Sequence, residues 1–280
     1  MRGTYDPWLV ALSFVVAVCV SYTALNLASR VSSARQQYVR LWLAGGAFAM
    51  GVGIWSMHFV GMLAFTLPIG LVYDVPITLA SLAVGILVSA FALSIASRSE
   101  VSQAQLLAGA LAMGIGIATM HYSGMAAIRI IPAIRYEPWI LLASIAIAIA
   151  ASYVALWLFF RLRRNFTSRI ALARLAAAGV MGIGICGMHY TGMFASRFAA
   201  DSYCLGAAQT NNAWLALTIG AFAIGILLTT MMLVVFDTHL DSRSLLHVTA
   251  MQHADAQLQH LATHDPLTGL PNRLLLEDRE

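Results

Sequence analysis

The chain has no lysine; all sixteen of its basic residues are arginine. Charge of either sign is scarce, at 10% of 280 residues beside 60% hydrophobic ones. A soluble domain carries about 25% charged residues, so this shortage excludes an ordinary water-soluble fold. Cysteine is scarce too. Cys19, Cys186 and Cys204 have neither disulfide nor zinc-finger spacing, which excludes a stapled scaffold. Cys19 and Cys186 fall in apolar runs, where a small soft hydrophobe is ordinary, and Cys204 falls in a loop.

Seven apolar runs reach the roughly 20 residues that a helix needs to span a bilayer. They cover about 8–28, 41–65, 76–97, 104–128, 138–160, 170–196 and 214–236. In hydrocarbon the backbone must satisfy its own hydrogen bonds, and these lengths suit helices rather than barrel strands. The expected fold is an all-α membrane protein of seven transmembrane helices. The first 30 residues do not read as a cleaved signal, because the run is long and its basic flank, Arg30, Arg35 and Arg40, follows it.

Arginine placement gives the orientation. The connections after helices one, three and five carry Arg30, Arg35, Arg40, Arg98, Arg161, Arg163, Arg164 and Arg169; the opposite side carries Arg2, Arg129, Arg135 and Arg197. The richer side is cytoplasmic, which puts the N-terminus outside and the C-terminus inside. The net charge of +4 is then an orientation signal. The partner it implies is the lipid bilayer, not nucleic acid.

One segment is written three times: GVGIWSMHFVGM at 51–62, GIGIATMHYSGM at 114–125 and GIGICGMHYTGM at 182–193. The histidines, His58, His121 and His189, are 63 and 68 residues apart. Such a period dictates architecture: one extra helix at the start, then three repeated helix pairs. Nine of the thirteen methionines occupy three equivalent positions, as Met57, Met120 and Met188, as Met62, Met125 and Met193, and as Met50, Met113 and Met181. Glycines recur as well, at 51, 53 and 61 and their equivalents, and small residues let membrane helices approach closely. A helical wheel puts Gly51, His58, Gly61 and Met62 on one broad face, so each motif helix is expected to offer a groove into which its own His and Met project. All three histidines stand near the end of an outward-running helix and therefore at one depth.

Ionisable residues inside a membrane are costly and usually functional. Neutral imidazole is a common metal ligand, and thioether sulfur favours Cu(I) over hard ions. With no carboxylate in any of the runs, the cluster points to copper first, then zinc and iron, at a site formed by His58, His121, His189, Met62, Met125, Met193, Met57, Met120 and Met188. An open position there could bind a diatomic gas. The competing reading makes each histidine an interhelical link whose ring nitrogen finds a backbone carbonyl. Met50, Met113 and Met181 lie two turns further in and are expected to pack. Phe59, Tyr122 and Tyr190 read as interfacial aromatics.

The tetrads MHYS at 120–123 and MHYT at 188–191, with the looser MHFV at 57–60, closely resemble the bacterial MHYT sensor domain over roughly residues 8–236. Seven helices with three such motifs are that family's pattern. The resemblance implies an integral-membrane sensor, with copper as the proposed ligand and oxygen, carbon monoxide or nitric oxide as the proposed signal. The first copy departs from the pattern, with Phe59 for Tyr and Val60 for Thr or Ser, which speaks against a ligating role for that hydroxyl.

At 263–280, THDPLTGLPNRLLLEDRE resembles the opening of a GGDEF diguanylate cyclase domain, with Asp265, Leu267, Thr268, Leu270, Asn272 and Arg273 in the matching positions. The implied organisation is a sensor at 1–236, a cytosolic signalling helix at 237–262 and the start of a cyclase at 263–280. The parent would sit in the bacterial inner membrane and make cyclic di-GMP. Such parents often carry an EAL phosphodiesterase domain as well. Leu245, Val248, Met251, Leu258 and Leu261 form a broken apolar stripe that suits pairing in a homodimer, and His247, His253, His260 and His264 read as solvated. On this reading the chain itself is not an enzyme. A metal transporter or channel and a purely structural anchor are the alternatives; the first lacks the Pro- or charge-interrupted spans of transport paths.

Overall fold

The computed structural model describes residues 3–33, 36–98, 100–163, 170–204 and 215–232, together with 235, 251, 258, 262 and 263. Two compact units divide the chain, Met1–Leu233 and Val234–Glu280. In the second only isolated positions are described, so the histidines of the expected signalling helix, most of that segment and the cyclase start from His264 on lie outside the described residues.

Seven helices are long and apolar enough to cross a membrane, and the chain is a multi-pass membrane protein. They are α1 (Pro7–Ser33), α2 (Gln36–Ala64), α3 (Val75–Ala96), α4 (Gln103–Ala126), α5 (Pro138–Arg163), α6 (Ile170–Ala195) and α7 (Leu215–Met232). The plain helices α1, α3 and α5 start alike. Each has an acidic residue at its threshold and a proline in its first turn: Asp6 and Pro7, Asp74 and Pro76, Glu137 and Pro138. Proline is tolerated there because that N–H has no helical partner. Asp6 accepts from the Trp8 and Leu9 amides at 2.8 and 3.2 Å, and Asp74 from Ile77 at 3.1 Å. The same three acidic residues donate their backbone N–H to the last residues of the motif helices: Asp6 to Ala64, Asp74 to Ala127 at the end of α4, and Glu137 to Ala195, at 2.7–2.9 Å. Asp74→Ala is expected to lower stability by about 1 kcal/mol and Asp74→Asn by much less, as read by reversible unfolding in detergent.

Successive helices from α1 to α6 are neighbours, and α6 closes back on α1. The result is a six-helix ring in which plain helices alternate with motif helices. There are three pairs and one extra helix, but the extra helix is the last: α1 stands beside α6 where the linear repeat would put α7. The seventh helix leans on α1 and α2 from outside, with Thr230 Oγ1 2.9 Å from Thr23 Oγ1 and Phe222 against Trp55. Close approach comes from two glycines per motif helix, one toward each plain neighbour: Gly53, Gly116 and Gly184 face Val20 of α1, Val88 of α3 and Ala151 of α5, and Gly51, Gly114 and Gly182 face the plain helix on the other side. A Cβ on Gly51 would lie 2.5 Å from Ile86 Cα of α3, one on Gly114 2.5 Å from Ile149 Cα of α5, and one on Gly182 2.8 Å from Val18 of α1.

The end at which α2, α4 and α6 finish is capped by short antiparallel strands. They are β1 (Thr4–Tyr5) with β2 (Phe65–Thr66), β3 (Ile130–Ile131) with β6 (Tyr203–Cys204), and β4 (Arg135–Tyr136) with β5 (Ser196–Arg197). The isolated pair Tyr73–Ile128 completes a threefold set, so that Tyr5, Tyr73 and Tyr136 occupy matching places around the cap.

Candidate metal centre

His58, His121 and His189 are each 1% exposed and meet at the middle of the ring near its capped end. His58 Nδ1 lies 3.1 Å from His189 Nδ1 and 3.0 Å from His121 Nδ1, and the ring centroids are 4.8–5.1 Å apart. The common depth expected from the sequence therefore becomes direct contact between three repeats.

The glycines of the motif set this geometry in a way the helical wheel did not give. Gly61 does not face its own histidine. It opens a slot for His189, Gly124 one for His58, and Gly192 one for His121, and a Cβ at these sites would sit 2.3, 2.3 and 2.4 Å from the Nε2 atoms. Each ring is thus seated on the glycine of another motif helix, in a closed cycle from α2 to α4 to α6.

Hydrogen bonding alone leaves this cluster incomplete. The three Nε2 atoms are buried without a partner, so the rings do not serve as links to backbone carbonyls. A neutral imidazole has one N–H; among three crowded Nδ1 atoms, protons can join some pairs but cannot give all three rings one equivalent role. A cation at the convergence point would take three Nδ1 lone pairs and put every ring in the same tautomer. Metal–nitrogen bonds of about 2.0 Å place tetrahedral or trigonal ligand nitrogens about 3.3–3.5 Å apart, within a few tenths of an ångström of the spacing seen. The donor set fits: three neutral nitrogens, no carboxylate in the spans and apolar surroundings suit copper or zinc better than a hard ion.

The methionines divide by position. Met62, Met125 and Met193, at most 4% exposed, belong to one buried cluster with Phe59, Tyr73, Ile128 and Ile130 at the capped end. Met120 joins that cluster, whereas Met57 packs with Val16, Val20 and Cys186, and Met188 with Ala118 and Ala148. Met57 and Met188 thus point into separate clusters, while the set four residues beyond the histidines stays together.

A supporting layer was not visible in the sequence. Phe59, Tyr122 and Tyr190 each pack edge-on against the adjacent histidine, at 4.9, 4.8 and 4.8 Å, and so brace the centre. Behind them stand Ser13, Ser81 and Ser144 on the plain helices, all fully buried. Each serine gives its hydroxyl proton to the carbonyl three residues earlier, at 2.7 Å, which leaves its oxygen as an acceptor. Tyr190 donates to Ser13 at 2.7 Å and Tyr122 to Ser144 at 2.6 Å. Phe59 has no hydroxyl, and in its repeat Trp55 Nε1, one turn earlier on α2, donates to Ser81 at 3.1 Å. At the cap, Tyr5 contacts Tyr190, Tyr73 contacts Phe59 and Tyr136 contacts Tyr122. Burial, with a tyrosine neighbour, pushes the Tyr5 and Tyr136 phenols up to about 12, so they stay neutral.

A family profile described as MHYT, bacterial signalling protein N terminal repeat, matches residues 1–40, 51–109, 114–172 and 182–250. At 49% identity over 99% of its length, the chain is similar to 40% of MucR of Pseudomonas aeruginosa, a bifunctional diguanylate cyclase/cyclic di-GMP phosphodiesterase. At 37% identity over 96% of its length it is similar to 35% of NbdA of the same organism, a cyclic di-GMP phosphodiesterase. At 35% identity over 94% of its length it is similar to 32% of the signalling protein YkoW of Bacillus subtilis. The chain thus spans well under half the length of each of these relatives. No solved structure matches it.

Proposed function

The chain belongs to the MHYT family of bacterial signalling proteins, and from that membership and the histidine geometry we propose that it is the membrane sensory input module of a cyclic di-GMP signalling protein. The carrying observation is that the buried His58 Nδ1 lies 3.0–3.1 Å from the Nδ1 atoms of both His121 and His189. His58, His121 and His189 would hold copper, with Met62, Met125 and Met193, which share one buried cluster, as the candidate thioether donors. Copper bound there would supply a redox-active centre able to take up a diatomic gas. The protein's own part is to exclude water, to hold the three rings in one tautomer and to fix their spacing through the glycine slots and the Tyr–Ser and Trp–Ser braces.

On this reading the capped end faces the outer side of the inner membrane and the C-terminus lies in the cytoplasm, an orientation that the arginine asymmetry supports. There the segment from Asp265 would begin a diguanylate cyclase, a reading supported by the similarity to MucR, a bifunctional diguanylate cyclase/cyclic di-GMP phosphodiesterase. A signal at the centre must favour one of two packings of the ring to be felt at all, and coupling of about 1–3 kcal/mol would be typical.

Metal analysis of the purified chain beside His58→Ala tests the reading. The chain should carry copper, and the variant should lose it by more than about 100-fold, since even an outer-shell change costs 10–100-fold. In the longer protein, replacing all three histidines with Ala should abolish the response of cyclic di-GMP output to the signal. A normal response from that variant would leave the structural-anchor reading standing instead.

A further inference from the structure

A second threefold arrangement lies at the other end of the ring. Met50, Met113 and Met181, the methionines expected only to pack, all border one cavity of about 60 Å³. Most of its remaining wall comes from matching positions on the plain helices, Ala24, Ala92 and Ala155, then Leu25, Leu93 and Leu156, with Phe159 where the other two helices have alanine. The cavity is therefore built on the internal threefold axis. On α2, Met50 precedes His58 by eight residues, about 12 Å along a helix, so the two centres are separate.

Methionine in a core ordinarily fills gaps. Here three of them, one from each repeat, surround a gap that remains, and the facing alanines are too small to close it. The thioethers are the only side-chain heteroatoms among its lining residues. One turn nearer the histidines, on the same faces as Ala24, Ala92 and Ala155, stand Ser21, Ser89 and Ser152, each at most 2% exposed. The hydroxyls of Ser89 and Ser152 have no hydrogen-bond partner. Unpaired buried hydroxyls are costly, and they form a polar step between the two centres.

We propose that Met50, Met113 and Met181 form a second metal site, selective for a soft monovalent cation such as Cu(I) or its analogue Ag(I). Neutral sulfur donors without a carboxylate suit that class and reject Mg²⁺, Ca²⁺ and Mn²⁺, which prefer oxygen. Single charge also limits the cost of burial. The site stands on its own residues, whatever occupies the histidine centre.

The test is Ag(I) binding by the purified chain in detergent, with X-ray absorption to read the ligand atoms. A sulfur-only Ag(I) should be present in the unaltered chain and should persist when His58, His121 and His189 are all changed to Ala. It should also persist when Met62, Met125 and Met193 are all changed to Leu. Changing Met50, Met113 and Met181 to Leu conserves volume and should weaken that binding by at least 100-fold while leaving metal at the histidines. Met113→Leu alone should lower the sulfur count by one, which keeps the test open if the triple variant does not fold. An unaltered chain without sulfur-bound Ag(I), or a Met50/Met113/Met181 triple variant that retains it, would overturn the proposal. Loss of copper from the histidine centre with a retained, Met50-dependent Ag(I) would count against the histidine reading alone.

Discussion

Gly124→Ala is expected to cost the chain its histidine-bound metal by more than 100-fold, although residue 124 offers no ligand. The added Cβ would stand 2.3 Å from His58 Nε2, about 1 Å inside ordinary van der Waals contact. The ring has nowhere to retreat. Its Nδ1 already lies 3.0–3.1 Å from two other imidazoles and its edge meets Phe59. Overpacking of this kind costs about 1–3 kcal/mol in stability, and displacement by about 1 Å is enough to spoil a ligand. Gly61→Ala and Gly192→Ala should behave alike, through His189 and His121. The same exchange at Gly179 or Gly220, where an added Cβ meets nothing within 4 Å, should leave metal content unchanged and raise stability by about 0.5–1 kcal/mol through helix propensity. Metal content and thermal unfolding of the five variants give the comparison. Full metal in Gly124→Ala would show that the rings are free to slide and that the seating argument is wrong.

The second large effect is expected from Trp55→Ala. Trp55 is 1% exposed, packs on Phe59 at 4.6 Å and donates to Ser81. Truncation should cost about 3–5 kcal/mol. The other two repeats suggest a partial remedy, because Ala118 and Cys186 stand where Trp55 does and a tyrosine hydroxyl reaches the serine instead. Trp55→Ala combined with Phe59→Tyr should recover about 1–2 kcal/mol, the worth of a buried hydrogen bond restored to its acceptor. Phe59→Tyr in the presence of Trp55 should gain nothing, since Ser81 is already served. Unfolding of the four proteins of this cycle gives the coupling directly; additivity of the two changes would mean that Ser81 is not shared.

Much of this architecture is legible in the sequence. The apolar runs place seven helices, and the histidine spacing puts three imidazoles at one depth, because membrane thickness ties helix length to position. Ring closure is not legible. His58 to Ser81 and His121 to Ser144 are both 23 residues, but the residue 23 after His189 is Asn212; the third serine is Ser13, brought in from the first helix. Linear repetition could not show that the first plain helix would complete the last pair. The glycine slots were misassigned for a related reason. A helical wheel knows only its own helix, and Gly61 takes its partner from α6. Met50, Met113 and Met181 read as packing because their cavity exists only where three repeats face each other.

The exchange of Tyr for Phe59 with Trp55 has a consequence for how this ring can be read by its surroundings. An assembly of three identical subunits would have to carry Trp55 in every sector or in none. One polypeptide with three unequal sectors can mark a single one. The marked sector is the one on which α7 leans, since Phe222 meets Trp55 edge-on and Leu215 and Ile219 share its cluster. Three histidines in matching positions are thus joined to a bundle that has a front, and the tryptophan is where the front begins.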